Sequence, residues 1–205
     1  MKKGFTLIEL LVVIAIVGLL AGVALTTLRS GVEKAKTATI IQDLNAITQA
    51  FRLKAIDENI EEWWHEDDFP SGRAQWETYI TLAIDDGIID SFLPVAPDPP
   101  EFAGDIQANA YFYDNDKDWD PDHKFENPTD CNAETEANRR NSWDGVNVQF
   151  DIGVSFEDEL WWLVAEQLDA AFDESDGMYC GRFRADTFVQ SRFFYSIDFD
   201  QTPDF

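Results

Sequence analysis

The feature that most constrains this chain is an apolar run close to its N-terminus. From Leu10 to Leu25 no residue carries a polar side chain. The 24 residues from Phe5 to Leu28 would form a helix long enough to cross the roughly 30 Å hydrocarbon core of a bilayer with some tilt. Lys2 and Lys3 precede the run, and no comparable basic cluster follows it directly. The positive-inside rule therefore predicts a single-pass segment in the cytoplasmic (inner) membrane, with its N-terminus in the cytoplasm.

One carboxylate, that of Glu9, stands near the start of this apolar segment. An isolated carboxylate costs about 2.5–3.5 kcal/mol at the bilayer centre and less nearer the interface, so Glu9 is expected to have a partner. No Lys, Arg or His lies between Leu10 and Leu28, and the partner is therefore predicted to be a group that the intact precursor lacks. Cleavage after Gly4 would create one, because the new α-amine of Phe5 is a cation that could pair with Glu9 of a neighbouring subunit. Such a buried pair stabilises poorly but specifies register, which helical assembly requires.

Residues 3–9, Lys-Gly-Phe-Thr-Leu-Ile-Glu, resemble the leader and mature start of type IV pilins and type II secretion pseudopilins. The resemblance implies a leader of residues 1–4, cleavage between Gly4 and Phe5 by a prepilin peptidase, methylation of the Phe5 amine by the same enzyme, and Glu9 as the assembly carboxylate. It also implies that residues 5–28 form the core helix of a filament. Many members have a proline about where Thr26 stands, so this chain departs from the family there. A simple signal anchor and an ordinary secretory signal peptide are the alternatives.

Beyond the membrane segment, apolar residues recur at helical spacing. The intervals of four, three, four and four predict one amphipathic helix that continues to about Asp57, so residues 29–58 would be its extramembrane half. The apolar stripe is expected to pack on a sheet, and a coiled coil with another protein is the alternative. The stripe consists of Ile40, Leu44, Ile47, Phe51 and Ala55.

Residues 59–205 are predicted to form an acidic α+β ectodomain, which completes a pilin fold: a long N-terminal helix packed on a small antiparallel sheet, with extra helices. A short helix containing Trp76, Tyr79 and Ile84 should end at Asp86-Gly87. The proline-rich residues 93–100 predict a turn or linker, and with residues 111–113 they resemble the middle of the major pseudopilin and of short bacterial pilins. Strands are predicted at 111–113, 146–152 and 193–197, the second with one solvent-facing side. A capping box at residues 155–158 should open a helix that ends at Phe172.

The net charge of −25, from 40 acidic and 15 basic residues, argues against nucleic acid as a partner, because phosphate binding needs clustered Lys and Arg. Alternating carboxylates after the first predicted strand are a candidate calcium site, which the resemblance to major pseudopilins favours. The EF-hand pattern fails, since Trp119 and Phe125 stand at its glycine and glutamate positions, and a solvated acidic loop is the alternative. The candidate ligands are Asp114, Asp116, Asp118, Asp120 and Asp122, with Asp198, Asp200 and Asp204 as weaker co-ligands.

Two cysteines, Cys131 and Cys180, lie in the region outside the membrane, and a disulfide between them is predicted, with two separate buried thiols as the alternative. Catalytic and phosphate-binding motifs are absent from the sequence, so the chain is not expected to be an enzyme. We expect instead a structural subunit that assembles with copies of itself or other pilins, with a prepilin peptidase and an assembly platform as partners and no cofactor other than calcium. A pilus-carried adhesin that binds sugars through exposed Trp63-Trp64 and Trp161-Trp162 is the alternative function.

Overall fold

A computed structural model describes residues 6–64, 78–102, 110–115, 146–173, 181–186 and 192–198, without the side chains of residues 25–27, 78, 79, 82 and 186. The chain divides into two compact units, Met1–Lys36 and Thr37–Phe205. In chain order the elements are α1 (Leu7–Glu58), β1 (Thr78–Tyr79), α2 (Ile80–Asp85), β2 (Phe112–Asn115), β3 (Val146–Phe150), α3 (Glu159–Phe172), β4 (Phe183–Asp186) and β5 (Arg192–Asp198).

The long N-terminal helix is confirmed, and it ends one residue beyond the predicted Asp57. Asn59 adopts the left-handed conformation with φ of 51°. Its backbone N–H donates to the Ile56 carbonyl at 3.2 Å, and the N–H of Ile60 reaches back to the Ala55 carbonyl at 3.2 Å. These two bonds form a Schellman cap, in which asparagine takes the place that glycine usually occupies. The termination of α1 is therefore encoded locally.

In the second unit, the apolar stripe of α1 packs on the sheet, as the spacing predicts. All five stripe residues are fully buried, and Phe51 stacks on Tyr113 of β2 with ring centroids 4.6 Å apart. Two polar residues of α1 strengthen this contact. Asp43 accepts a hydrogen bond from the Tyr111 hydroxyl at 3.0 Å, and Arg52 donates to the Ile197 carbonyl of β5 at 2.7 Å.

The sheet has five strands in the order β1-β2-β3-β5-β4, and all neighbours are antiparallel. The three predicted strands correspond to β2, β3 and β5, whereas β1 and β4 were not predicted. Together with the helices this gives the α+β architecture predicted for a pilin fold. α2 ends at the predicted place, where Gly87 has φ of 77°. Tyr79, predicted to be helical, lies in β1 because its backbone pairs with Phe112.

The expectation that β3 has one solvent-facing side is wrong. Its polar residues Asn147 and Gln149 are 0 % and 6 % exposed. The Gln149 amide donates to Asp114 of β2, and its carbonyl oxygen accepts from Arg192 of β5 at 3.0 Å. Asn147 accepts from the buried Arg184 of β4 at 2.5 Å. The alternation in the sequence predicts which side of the strand is polar, but here that polar side is buried, and its side chains hydrogen-bond to one another across four strands.

Helix α3 covers the apolar side of the sheet. Trp161 of α3 stacks on Phe193 of β5 with ring centroids 4.7 Å apart. The predicted capping box at Ser155 is wrong, because the N-cap is Asp158, whose Oδ1 accepts from the Leu160 N–H at 2.9 Å. Ser155 instead closes the preceding turn, and its hydroxyl accepts from the Glu157 N–H at 3.2 Å. The predicted end at Phe172 is confirmed.

Candidate functional site

The candidate site is the first turn of α1, where Thr6 and Glu9 bind each other. The Glu9 carboxylate oxygen Oε2 accepts hydrogen bonds from the Thr6 backbone N–H at 2.8 Å and from the Thr6 hydroxyl at 2.7 Å. In return, the Glu9 N–H donates to the Thr6 hydroxyl oxygen at 3.3 Å. This is a reciprocal capping box, with Thr6 at the N-cap and Glu9 at the third helical position. It satisfies backbone N–H groups that have no acceptor within the helix.

The capping box corrects one step of the sequence argument. Glu9 was expected to lack any partner in the intact precursor, but Thr6 supplies two hydrogen bonds from the same chain. A threonine supplies no positive charge, however, so charge neutralisation by the Phe5 amine stays a prediction. Thr6 was missed although its signal is plain: Thr, two residues, then Glu, directly before an apolar run.

The other two residues of the predicted processing site, Gly4 and Phe5, lie outside the described residues. Cleavage between them and methylation of Phe5 therefore stay predictions. The structure does place the start of α1 at Leu7 and Glu9 in its first turn.

Apolar side chains surround Glu9 and remain exposed along the first unit. Leu7 is 82 % exposed and Ile8 75 %, and none of the apolar window of α1 is buried against the rest of the protein. Within the described residues, α1 is the one helix that is both long enough and apolar enough to cross a membrane. Gly18 and Gly22 lie inside it without breaking it, and a Cβ added at either would meet no atom within 4 Å.

Of the predicted calcium ligands, the structure describes Asp114 and Asp198 alone. Asp114 is buried in β2 and bonded to the Gln149 amide, and Asp198 accepts from the Trp63 indole N–H at 3.3 Å. The remaining candidates, Asp116, Asp118, Asp120, Asp122, Asp200 and Asp204, lie outside the described residues. The described part of the chain contains no group of three or more potential metal ligands. Cys131 and Cys180 also lie outside it, so calcium binding and the disulfide stay predictions.

The tryptophan surface expected for an adhesin is contradicted at Trp63 and Trp161, which are buried, whereas Trp64 and Trp162 are half-buried. Trp63 and Trp161 are 2 % and 0 % exposed, and both belong to the hydrophobic core. Trp64 and Trp162 pack against this core. The Trp162 indole N–H donates to the Phe156 carbonyl at 2.6 Å. Both pairs therefore stabilise the ectodomain, and burial of Trp63 and Trp161 leaves little ring surface for a sugar.

One electrostatic feature of the second unit belongs to the contact between α1 and the sheet. Burial raises the pKa of Asp43, although the hydrogen bond from Tyr111 acts in the opposite direction. Burial also raises the pKa of the Tyr111 phenol above its usual value, with the negative charge of Asp43 as the next cause. This pair contributes a pH dependence to stability and no recognisable catalytic chemistry.

Comparison with known proteins finds similarity to a motif at the N-terminus of this chain. A sequence model of the prokaryotic N-terminal methylation motif matches residues 1–25. Fimbrial protein Q of Moraxella bovis is 47 % identical over 45 residues, which are 22 % of this chain and 29 % of that protein. The type IV major alpha-pilin of Moraxella bovis is 47 % identical over 45 residues, 22 % of this chain and 28 % of that pilin.

The matched region thus spans less than a third of the length of these curated relatives. No solved structure matches the chain. The ectodomain therefore has its fold described by the structure alone, whereas the N-terminal segment carries the prokaryotic N-terminal methylation motif, and the resemblance to type IV pilins predicted from residues 3–9 is confirmed.

Proposed function

We propose that this chain is a structural subunit of a type IV pilus. It waits in the inner membrane as a single-pass protein with its N-terminus in the cytoplasm, is cut after Gly4 by a prepilin peptidase, is methylated at Phe5, and joins a filament through its N-terminal helix. The observation that carries the proposal is a lone carboxylate, Glu9, in the first turn of an apolar helix within the methylation motif. The curated relatives bear the names of fimbrial and pilin proteins, which supports a structural role over a catalytic one.

The apolar surface of α1 supports assembly by burial. Side chains that are exposed in the isolated subunit need either lipid or other helices around them in the cell. Lipid surrounds them before assembly, and copies of the same segment surround them in a filament. The Glu9 carboxylate would then pair with the methylated Phe5 amine of a neighbour, which sets the register between subunits.

Glu9→Ala tests this role directly. The variant should be processed at Gly4 like the wild type, because the cut lies outside α1, and yet be absent from sheared filaments. Glu58→Ala is the matched control: it removes a carboxylate at the other end of α1, one that is 45 % exposed and pairs with Lys54 at 2.9 Å, and it should assemble normally because such ion pairs contribute little. Normal filaments from Glu9→Ala would refute the pairing argument.

A type II secretion pseudopilus is the alternative assembly, because pseudopilins share the same leader and membrane helix. Deletion of the gene separates the two. Loss of surface filaments with normal secretion of exoproteins supports the pilus, and the reverse result supports the pseudopilus.

We also propose the Cys131–Cys180 disulfide for the ectodomain, and calcium binding by the alternating aspartates as a second chemical feature. Intact mass measured without and with reductant should differ by two hydrogens if the disulfide forms. A melting temperature that is unchanged by a calcium chelator would dispose of a stabilising calcium site.

A further inference from the structure

We propose that Thr6 is a positioning residue for filament assembly: its hydroxyl holds the Glu9 carboxylate so that one oxygen stays available for a cation of a neighbouring subunit. This inference rests on the proposed function, and it adds to it a residue and a geometry. In the free subunit, the carboxylate would be held in one conformation and would still have an oxygen able to accept a hydrogen bond.

The two oxygens of the Glu9 carboxylate differ in their hydrogen bonds to Thr6. Both donors of Thr6, the backbone N–H and the hydroxyl, reach the same oxygen, Oε2, at 2.8 and 2.7 Å. Within the described residues, the hydrogen bonds of the Glu9 side chain all end on this atom. A carboxylate has about four acceptor positions on its two oxygens. Oε1 therefore keeps its capacity to accept from an ammonium group while Oε2 stays bound to Thr6.

The distances show which of the two roles of the Thr6 hydroxyl is stronger. As an acceptor it takes the Glu9 N–H at 3.3 Å, which is long for a hydrogen bond of this type. As a donor it reaches the carboxylate at 2.7 Å, the length of a charge-assisted bond. An apolar environment strengthens the second bond further. Thr6 therefore acts on Glu9 more than it acts on the helix backbone.

Holding the carboxylate in advance favours assembly through entropy. A free glutamate side chain loses rotamer freedom when it binds a partner. The bonds to Thr6 remove part of that freedom in the isolated subunit, so less is lost when a neighbour arrives. This is preorganisation, which raises affinity without any new contact to the partner.

Three substitutions at Thr6 separate positioning from simple helix capping. Thr6→Ser keeps the hydroxyl, Thr6→Val keeps the shape without the hydroxyl, and Thr6→Gly lacks the hydroxyl but remains a tolerable N-cap. Sheared filament is measured per processed subunit, with the N-terminus of each subunit verified by mass spectrometry. Positioning predicts that Val and Gly both lower the filament yield, by about tenfold at most because the rotamer freedom of one glutamate side chain sets the scale, and that Ser restores most of it.

Two results for the Thr6 variants would overturn the inference. A Gly variant that assembles like the wild type while Val fails would mean that Thr6 only caps the helix, and it would overturn the inference. A Ser variant as poor as Gly would overturn it as well, since the hydroxyl would then not be the active group. Glu9→Gln, which keeps an acceptor but removes the charge, is measured alongside. Absence of the wild-type chain from sheared filaments would refute the proposed function itself, and normal assembly of Glu9→Gln would refute the charge pairing. Failure of Glu9→Gln together with three fully assembling Thr6 variants would refute the positioning role alone.

Discussion

The contact between Gly181 and Asp173 allows a stability prediction worked from the structure. Gly181 has φ of 69°, and a Cβ added there would lie 2.6 Å from the Asp173 carboxyl carbon. That carboxylate accepts a hydrogen bond from the Phe183 N–H at 2.5 Å. Gly181→Ala must therefore adopt a left-handed conformation and also displace the group that holds the start of β4.

The two costs can be estimated separately. A left-handed conformation costs an alanine about 1–2 kcal/mol, and a lost hydrogen bond to a charged group costs about 1.5–3 kcal/mol. Gly181→Ala should thus lower the free energy of unfolding by about 2.5–5 kcal/mol. For a domain of this size, each kcal/mol corresponds to about 2–4 °C in melting temperature. The full chain in detergent, followed by circular dichroism through thermal unfolding, provides the measurement.

Gly87→Ala is the matched control, because Gly87 has φ of 77° but its added Cβ would meet nothing closer than Asp90 at 4.0 Å. It should show the conformational cost alone, about 1–2 kcal/mol. In an Asp173→Ala background, Gly181→Ala should cost as little as Gly87→Ala, since the obstacle has gone. Equal losses for Gly181→Ala and Gly87→Ala in the wild-type background would refute the reasoning.

Three further predictions concern the second unit. Because burial raises the pKa of Asp43, the native state still holds a proton just above pH 4 that the unfolded state has already lost. This contribution to stability is therefore full below about pH 4 and is lost as the pH rises through the native pKa. Asp43→Asn, which can still accept from Tyr111, should flatten this dependence in denaturant titrations on both sides of about pH 4, and an unchanged slope would contradict it. Trp161→Ala should lower stability by about 3–5 kcal/mol in urea unfolding, as expected for a fully buried aromatic side chain, and a loss below about 1 kcal/mol would argue against its burial. Asp158→Ala should cost about 1 kcal/mol and Ser155→Ala clearly less, because Asp158 is the N-cap of α3; the opposite order would restore the cap predicted at Ser155.

The parts of the fold that the sequence predicts well are those with local signals. The five positions of the α1 stripe are all buried, because a helix repeats its faces every 3.6 residues. Thr37, Thr48 and Ala50 are buried as well and lie outside the stripe. The position of the α3 cap could not be chosen, since Ser155 and Asp158 are both good N-cap residues three positions apart. β1 has two residues and β4 contains the charged Arg184 and Asp186, so both strands depend on partners that are distant in sequence.

In the candidate site too, some features have a local sequence signal and others do not. The apolar run and the lone carboxylate of Glu9 could be identified from the sequence, and the capping-box pattern that includes Thr6 was equally available there. The distances that place both Thr6 donors on one oxygen could not be. Burial of Trp63 also could not be foreseen, because its contacts are distant in sequence, as its hydrogen bond to Asp198, 135 residues later in the chain, shows.

The buried polar side of the sheet has a consequence for how the strands can align during folding. In a sheet with one wet side, a strand that slips by one residue pays mainly by placing polar groups in the core. In β3 a slip would bring Asn147 and Gln149 into the apolar core and would also put Val148 against Arg184 and Arg192. Misalignment is therefore penalised on both sides at once. The polar side chains of this face therefore disfavour incorrect strand registers, in addition to the hydrogen bonds that they form in the correct one.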